Sequence, residues 1–254
     1  MIETGPLRAE WTKFASIRAT MVLSLVTVAV SGAFGWLFGN AAATEYAELT
    51  ARERLDFQPL DMGMRGVFIA QLLLAALGVL IVSSEYGSGT MRASLSAVGR
   101  RGRLLAAKAG LTVLTALPVS VAALWLMYTI SQVTLAANGV PYLMPGDPAA
   151  LRMLLLGPVV LTLLAVFGLA LGFLLRSTAS AVNAGTAFLL VPVLATPSPA
   201  PVRDFIQSFW PNTTAFRALS GTSELPPLVA FGLFVAFVAV LMIAAFVHFK
   251  QRDA

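Results

Sequence analysis

The sequence predicts an all-α integral membrane protein of six spanning helices, and three observations predict it. Apolar residues far outweigh charged ones, six uncharged windows reach or approach spanning length, and Lys and Arg gather in alternate connecting segments. Hydrophobic residues make up 58% of the 254 and charged residues 11%, with a mean hydropathy of +0.83. Soluble domains carry about 25% charge. A chain of this size cannot dress so much apolar surface in a polar coat, so lipid is the solvent for most of it.

The elements follow in chain order. In residues 7–18, Leu7, Trp11, Phe14 and Ile17 recur every three or four positions, with Arg8, Glu10, Lys13 and Arg18 on other faces. That pattern predicts an amphipathic helix lying in the headgroup layer before the first span. A hydrocarbon core about 30 Å thick takes roughly 20 apolar residues as helix. The spans are placed at 19–39, 66–83, 109–135, 153–175, 178–196 and 228–247. Basic residues before the first window and Ala41-Ala42-Ala43 after it resemble a secretory signal. Its apolar run of 21 residues exceeds the about 7–15 of a signal core, so it reads as an uncleaved span.

Local punctuation supports the layout. Trp36 and Phe38 suit an interfacial aromatic belt at the far end of the first span. Asp61 is placed as N-cap of the second span, and Asp147 as N-cap of the fourth with Pro148 in its first turn. Arg176 ends the fourth span, and Lys250 with Arg252 end the sixth. Pro118, Pro158 and Pro192 are expected to kink their helices. The Gly35/Gly39 and Gly168/Gly172 pairs are expected to let helices approach closely.

Charge sets the orientation. With both termini on one side, that side (N-terminus, loop 84–108, the Arg176 turn, C-terminal tail 248–254) holds 11 of 17 Lys and Arg against 4 acidic residues. The other side holds 6 basic and 8 acidic residues. Positive charge is retained in the cytoplasm, which places both ends inside. The net charge of +5 therefore marks loops facing anionic lipid or a cytosolic partner, and no nucleic acid partner is expected. Arginine outnumbers lysine 14 to 3, a hint of a GC-rich bacterial genome.

The connection 84–108 is longer than a turn requires and is itself patterned. Met91, Leu95 and Val98 fall at helical spacing after Thr90, a fitting N-cap, and Gly87 and Gly89 permit a tight turn before it. A short helix with an apolar stripe, projecting into the cytosol, is expected to dock on a partner. The bland alternative is a solvated basic loop.

Around this loop the chain resembles the membrane subunit of type-2 ABC exporters, a bacterial ABC transporter permease family. The residues that carry the resemblance are Leu7-Arg8-Ala9-Glu10-Trp11-Thr12-Lys13, Ser84-Glu85-Tyr86-Gly87-Ser88-Gly89-Thr90-Met91-Arg92, Arg100-Arg101-Gly102-Arg103 and Lys108. Six spans, inward termini and the chain length agree with it over the whole length. The resemblance implies a coupling helix seated in a cleft of a nucleotide-binding subunit, with Glu85, Tyr86, Gly89, Thr90, Met91, Arg92 and Leu95 forming or bracing the contact. It also implies two cytosolic ATPase subunits, a second permease chain in a homo- or heterodimer, and residence in the bacterial cytoplasmic membrane. Short re-entrant helices are implied between the fifth and sixth spans, where residues 197–227 are proline-broken and aromatic.

What the chain lacks bears on function. It has no cysteine and a single histidine, His248, which sits at the last span's end. Disulfides, thiolate sites and histidine-built metal centres are therefore not expected. No phosphate-cradling Gly-x-x-x-x-Gly-Lys-Ser/Thr occurs, so ATP and its Mg are expected on a partner, and no cofactor is expected on this chain. The windows hold no Asp, Glu, Lys or Arg, which disfavours an ion-coupled carrier. An intramembrane enzyme would need a nucleophile with a base, a metal or paired carboxylates. A non-transporting scaffold or sensory subunit that docks an ATPase is the closer alternative to an exporter. Most polar residues in the windows (Thr112, Thr115, Ser120, Thr129, Ser131, Gln132, Thr162 and Thr186) are expected to bond their own backbone or a neighbouring helix. Gln71 and Asn183 are the candidates for lining a route, on the two helices that the family uses. An apolar route suits a hydrophobic or amphipathic cargo, with drug efflux or antibiotic resistance among the roles the family fills. The outer connection 40–65 has no functional reading.

Overall fold

Backbone N–H and C=O groups in hydrocarbon must be satisfied within the segment, and an uncharged apolar window does so by forming an α-helix. The computed structural model of the chain describes residues 18–87, 90, 101–221, 223 and 225–252, and no strand occurs among them. The helices are α1 (Arg18–Glu48), α2 (Pro59–Gly63), α3 (Val67–Gly87), α4 (Arg101–Ala137), α5 (Pro148–Leu175), α6 (Thr178–Leu194), α7 (Ala200–Phe209), α8 (Pro211–Ser220) and α9 (Pro227–Arg252). A single 3-10 turn, Glu53–Asp56, lies between α1 and α2 among the described residues. Five helices, α1, α3, α4, α5 and α9, are long and apolar enough to cross a membrane. The chain is an all-α, multi-pass membrane protein. α6 is equally apolar but has 17 residues, about 25 Å of helix against a core of about 30 Å.

Each of the six windows falls on its own helix to within two residues, yet most helices outrun their windows. α1 continues to Glu48, α3 to Gly87, and α4 begins at Arg101. Several windows stop at or just before a charge, such as Glu85 and Lys108, whereas a helix stops where its backbone is capped. Asp147 is the N-cap of α5 and Pro148 opens that helix, while Asp147 Oδ2 accepts the Met144 amide at 2.6 Å. Arg176 closes α5 in the left-handed conformation (φ 52°), and Ser177 caps α6 by accepting the Ser180 amide. Asp61 is not the cap of the second span. Pro59 starts a separate five-residue helix that contains Asp61, and α3 begins only at Val67. Pro118, Pro158 and Pro192 lie inside α4, α5 and α6, each of which runs through its proline as one helix.

α5 is the central helix, packed by α3, α4, α6, α8 and α9. Its seam with α3 is made by glycine. A Cβ on Gly78 would fall on the Ala165 carbonyl oxygen, one on Gly168 on the Ala75 carbonyl oxygen, and one on Gly172 on Val82 Cγ1. α1 packs chiefly on α4 in the same way, with Gly35 against the Met127 backbone and Gly39 against Ser131 and Thr134. Both GxxxG pairs therefore serve helix contact. Outward faces are apolar, as Leu25 and Val240 illustrate at 72% and 67% exposed.

The bundle has two unlike ends. α3, α5 and α9 finish, and α4 and α6 begin, at the end marked by Arg176, where Val82, Leu104, Phe173 and Phe249 form a small core. The opposite end carries α2, α7 and α8. There the stretch after α1 is a folded cap, not a loose connection. Phe57 packs edge-on to Tyr46 at 4.8 Å, Arg54 sits 4.9 Å over the Tyr46 ring, and Phe57 shares a cluster with Ala42, Leu135 and Val140. α7 and α8 match the short helices expected between the last two spans. α8 is half buried in the bundle through Asn212, Ala215, Phe216 and Leu219, whereas α7 buries nothing.

Candidate functional site

The two ends of α3 each carry a buried polar contact to another element. At the Arg176 end, Glu85 belongs to the last turn of α3 and Lys108 to the second turn of α4. Lys108 Nζ and Glu85 Oε2 are 3.1 Å apart, with the two side chains 1% and 8% exposed. Lys108 also reaches the Ile81 carbonyl at 3.4 Å. The span windows, free of charge, ended just short of both residues, and the longer helices take them in. A buried pair of opposite charges is neutral as a unit, which is what makes it tolerable in a site of low dielectric.

Two further contacts tie down the same turns. The Thr178 hydroxyl, at the start of α6, donates to Ser83 Oγ at 2.9 Å. The Arg176 guanidinium lies 5.8 Å from the Tyr86 ring centroid. Tyr86 itself packs against the cluster of Phe173 and Phe249. The final turns of α3 are thus bound to α4, to the end of α5 and to the start of α6, immediately before residues 88–100.

Of the residues expected to form or brace a partner contact, Glu85 is buried and Tyr86 half-buried in the last turns of α3. Thr90 is exposed. Gly89, Met91, Arg92 and Leu95, together with the short helix expected around them, lie outside the described residues. So does the amphipathic stretch 7–17.

At the opposite end, Gln71 on α3 is 5% exposed, and its Oε1 accepts the Asn212 side-chain amide at 2.9 Å. Asn212 stands at the start of α8 and is 2% exposed. Both border a cavity of about 410 Å³, walled by Phe68, Met153, Leu189 and Phe216, with Asp61 and Arg217 among its charged neighbours. α8 is held over this cavity by Trp210, whose indole N–H donates to the Phe188 carbonyl at 3.0 Å while its ring lies 5.0 Å from that of Phe188. Phe188 stacks in turn on Phe237 of α9 at 5.2 Å.

Asn183 does not join Gln71. It is exposed on α6 and does not line the cavity. Of the intramembrane hydroxyls expected to bond their own backbone or a neighbouring helix, Thr112, Thr115, Ser131 and Thr162 each donate to a carbonyl of their own helix.

Two contacts escaped the sequence reading. Asn212 lies in the proline-broken stretch 197–227, where short helices were expected but no partner for Gln71. Glu85 and Lys108 were each named, but not as a pair, although one lies two residues beyond a window and the other one residue before the next. No protein-family model matches the chain, and no curated protein matches it.

Proposed function

We propose that the chain is the transmembrane subunit of an ABC exporter, working as a dimer of permease chains with two cytosolic ATPase subunits that carry ATP and Mg. In this reading α6 is a sixth, slightly short span, both termini face the cytoplasm, and the Arg176 end is the inner end of a protein of the bacterial cytoplasmic membrane. The observation that carries it is the triple attachment of α3's last turns. A force applied to residues 88–100 reaches α4 through Glu85–Lys108, α6 through Ser83–Thr178, and the α5 terminus through Tyr86–Arg176. A loop meant only to connect two spans needs no such fixture.

The apolar outward faces and the charge-free middle of each helix support a hydrophobic or amphipathic cargo taken from the cytoplasm or the inner leaflet. The test is copurification with a cytosolic ATPase, followed by Thr90→Glu and Met91→Glu. Both substitutions place a carboxylate where an apolar cleft is expected, and both abolish complex formation and transport in reconstituted vesicles. Unchanged assembly and transport in both variants overturn the assignment of the contact. A scaffold or sensory subunit docking the same ATPase is the second reading, and substrate-stimulated ATP hydrolysis in vesicles separates the two.

A further inference from the structure

The Gln71–Asn212 contact leaves hydrogen-bonding capacity unused in an apolar chamber. Two primary amides hold four N–H donors and two carbonyl acceptors, and the single bond between them uses one of each. Asn212 Oδ1 is buried with no partner. The Gln71 amide nitrogen makes no hydrogen bond among the described residues. Exchanging oxygen and nitrogen in either amide changes which atom is idle but not the surplus. Buried polar groups left unmatched are unfavourable, so a surplus at the wall of a cavity points to something that fills it.

The geometry points to a binding site for an amphipathic molecule with an apolar body and an uncharged amide head, seated in the cavity between α3, α5, α6 and α8. A primary amide offers one N–H and one C=O side by side. Its carbonyl accepts a hydrogen bond from the Gln71 amide nitrogen, and Asn212 Oδ1, closed off by packing as it stands, accepts the ligand's N–H once the Asn212 side chain turns toward the cavity. The body lies against Phe68, Met153, Leu189 and Phe216. The charges near the site, Asp61 against Arg65 and Arg217, are of both signs and favour neither an anionic nor a cationic head. Arg65 is moreover paired with Glu45 at 3.3 Å, and Arg217 holds the Gln207 carbonyl at 3.2 Å. The volume of about 410 Å³ lies within the about 300–1,000 Å³ of small-molecule sites. Binding here is independent of the exporter reading, because it requires no ATPase and no transport.

The test uses the full chain in phosphatidylcholine nanodiscs, without a partner, and three probes of one size: 4-phenylbutyramide, 4-phenylbutyrate and 4-phenylbutylamine. Calorimetry is expected to show saturable binding of the amide, tighter than either charged analogue by about tenfold, the ratio one well-made hydrogen bond supplies. Gln71→Leu/Asn212→Leu removes both amides together, a change that leaves no orphaned partner, and it abolishes the preference for the amide. Leu189→Trp fills the chamber and weakens amide binding while leaving both amides in place. Adding oleamide, a bilayer-resident primary amide, to the discs displaces the probe if the natural amide arrives from the bilayer, and leaves it bound if it arrives in solution. Equal binding of the three heads, an amide preference that survives the double substitution, or no saturable binding at all (a chamber filled by water alone) overturns the assignment.

Discussion

The two ends of α3 solve the problem of a buried polar group differently. Glu85 and Gln71 are 14 residues apart on one helix, about 21 Å at 1.5 Å per residue. Glu85 meets a full opposite charge from α4 inside a close-packed cluster. Gln71 meets a neutral amide from α8 beside an open chamber. The charged pair is neutral as a unit, so it is suited to holding helices in register. The amide pair is left incomplete, so it is suited to recognising something else. Between them runs the glycine seam that packs α3 closely on α5.

The largest expected effect comes from breaking the charged end. Lys108→Met removes the buried counter-charge that stands 3.1 Å from the Glu85 carboxylate. Removing one partner of such a pair costs about 3–5 kcal/mol, and thermal unfolding in nanodiscs should show it. Glu85→Met/Lys108→Met removes both charges and is expected to restore stability to the wild-type level or above it, since apolar replacement of a buried pair is often neutral or stabilising by about 1–4 kcal/mol. A double variant as unstable as the single one removes the distinction between a clamp made by charge complementarity and one made by packing.

The seam is next. Gly78→Ala introduces a Cβ onto the Ala165 carbonyl oxygen, a backbone atom that cannot rotate away. α3 must then separate from α5, and overpacking of this kind costs about 1–3 kcal/mol. Gly232→Ala on α9 is the matched control, because a Cβ there meets nothing within 4 Å. Equal melting temperatures for the two variants argue that α3 and α5 are not locked, and that the ends of α3 act separately.

These positions also show what the sequence made legible. Hydrophobic windows located all six apolar helices, because lipid leaves the backbone few choices. Caps such as Asp147 and Arg176 were readable because their signals are local. Depth was less readable: several windows end at or just before a charge, so Glu85 and Lys108 were assigned to a loop although the helices contain them. Partners distant in sequence were not readable at all. Gln71 stood out as a lone amide in a span, but its mate Asn212 lies 141 positions away, and only the fold of α8 against α3 brings them together. Asn183 carried the same local signal as Gln71 and yet faces outward, since which side of α6 meets the bundle is settled by packing.

The smallest expected effect tests whether burial, and not polarity alone, separates the two ends of α3. Thr50 and Glu53, in the cap that follows α1, form a reciprocal box. The Thr50 amide and hydroxyl both donate to Glu53 Oε2, at 2.9 and 2.7 Å, and the Glu53 amide returns a bond of 3.4 Å to Thr50 Oγ1. The hydroxyl first, and the amide second, hold the Glu53 carboxyl below its ordinary value of 4.5. A lowered folded-state pKa means that the box stabilises above the ordinary value and that its contribution is lost as pH falls through the folded-state value. Thr50→Val removes the hydroxyl bond and should bring the Glu53 titration back toward 4.5, read by carboxyl chemical shifts, with little change in melting temperature because the group is fully exposed. A melting-temperature loss as large as that of Lys108→Met would mean that solvent does not screen this contact, and burial would no longer explain why the charged end of α3 is the strong one.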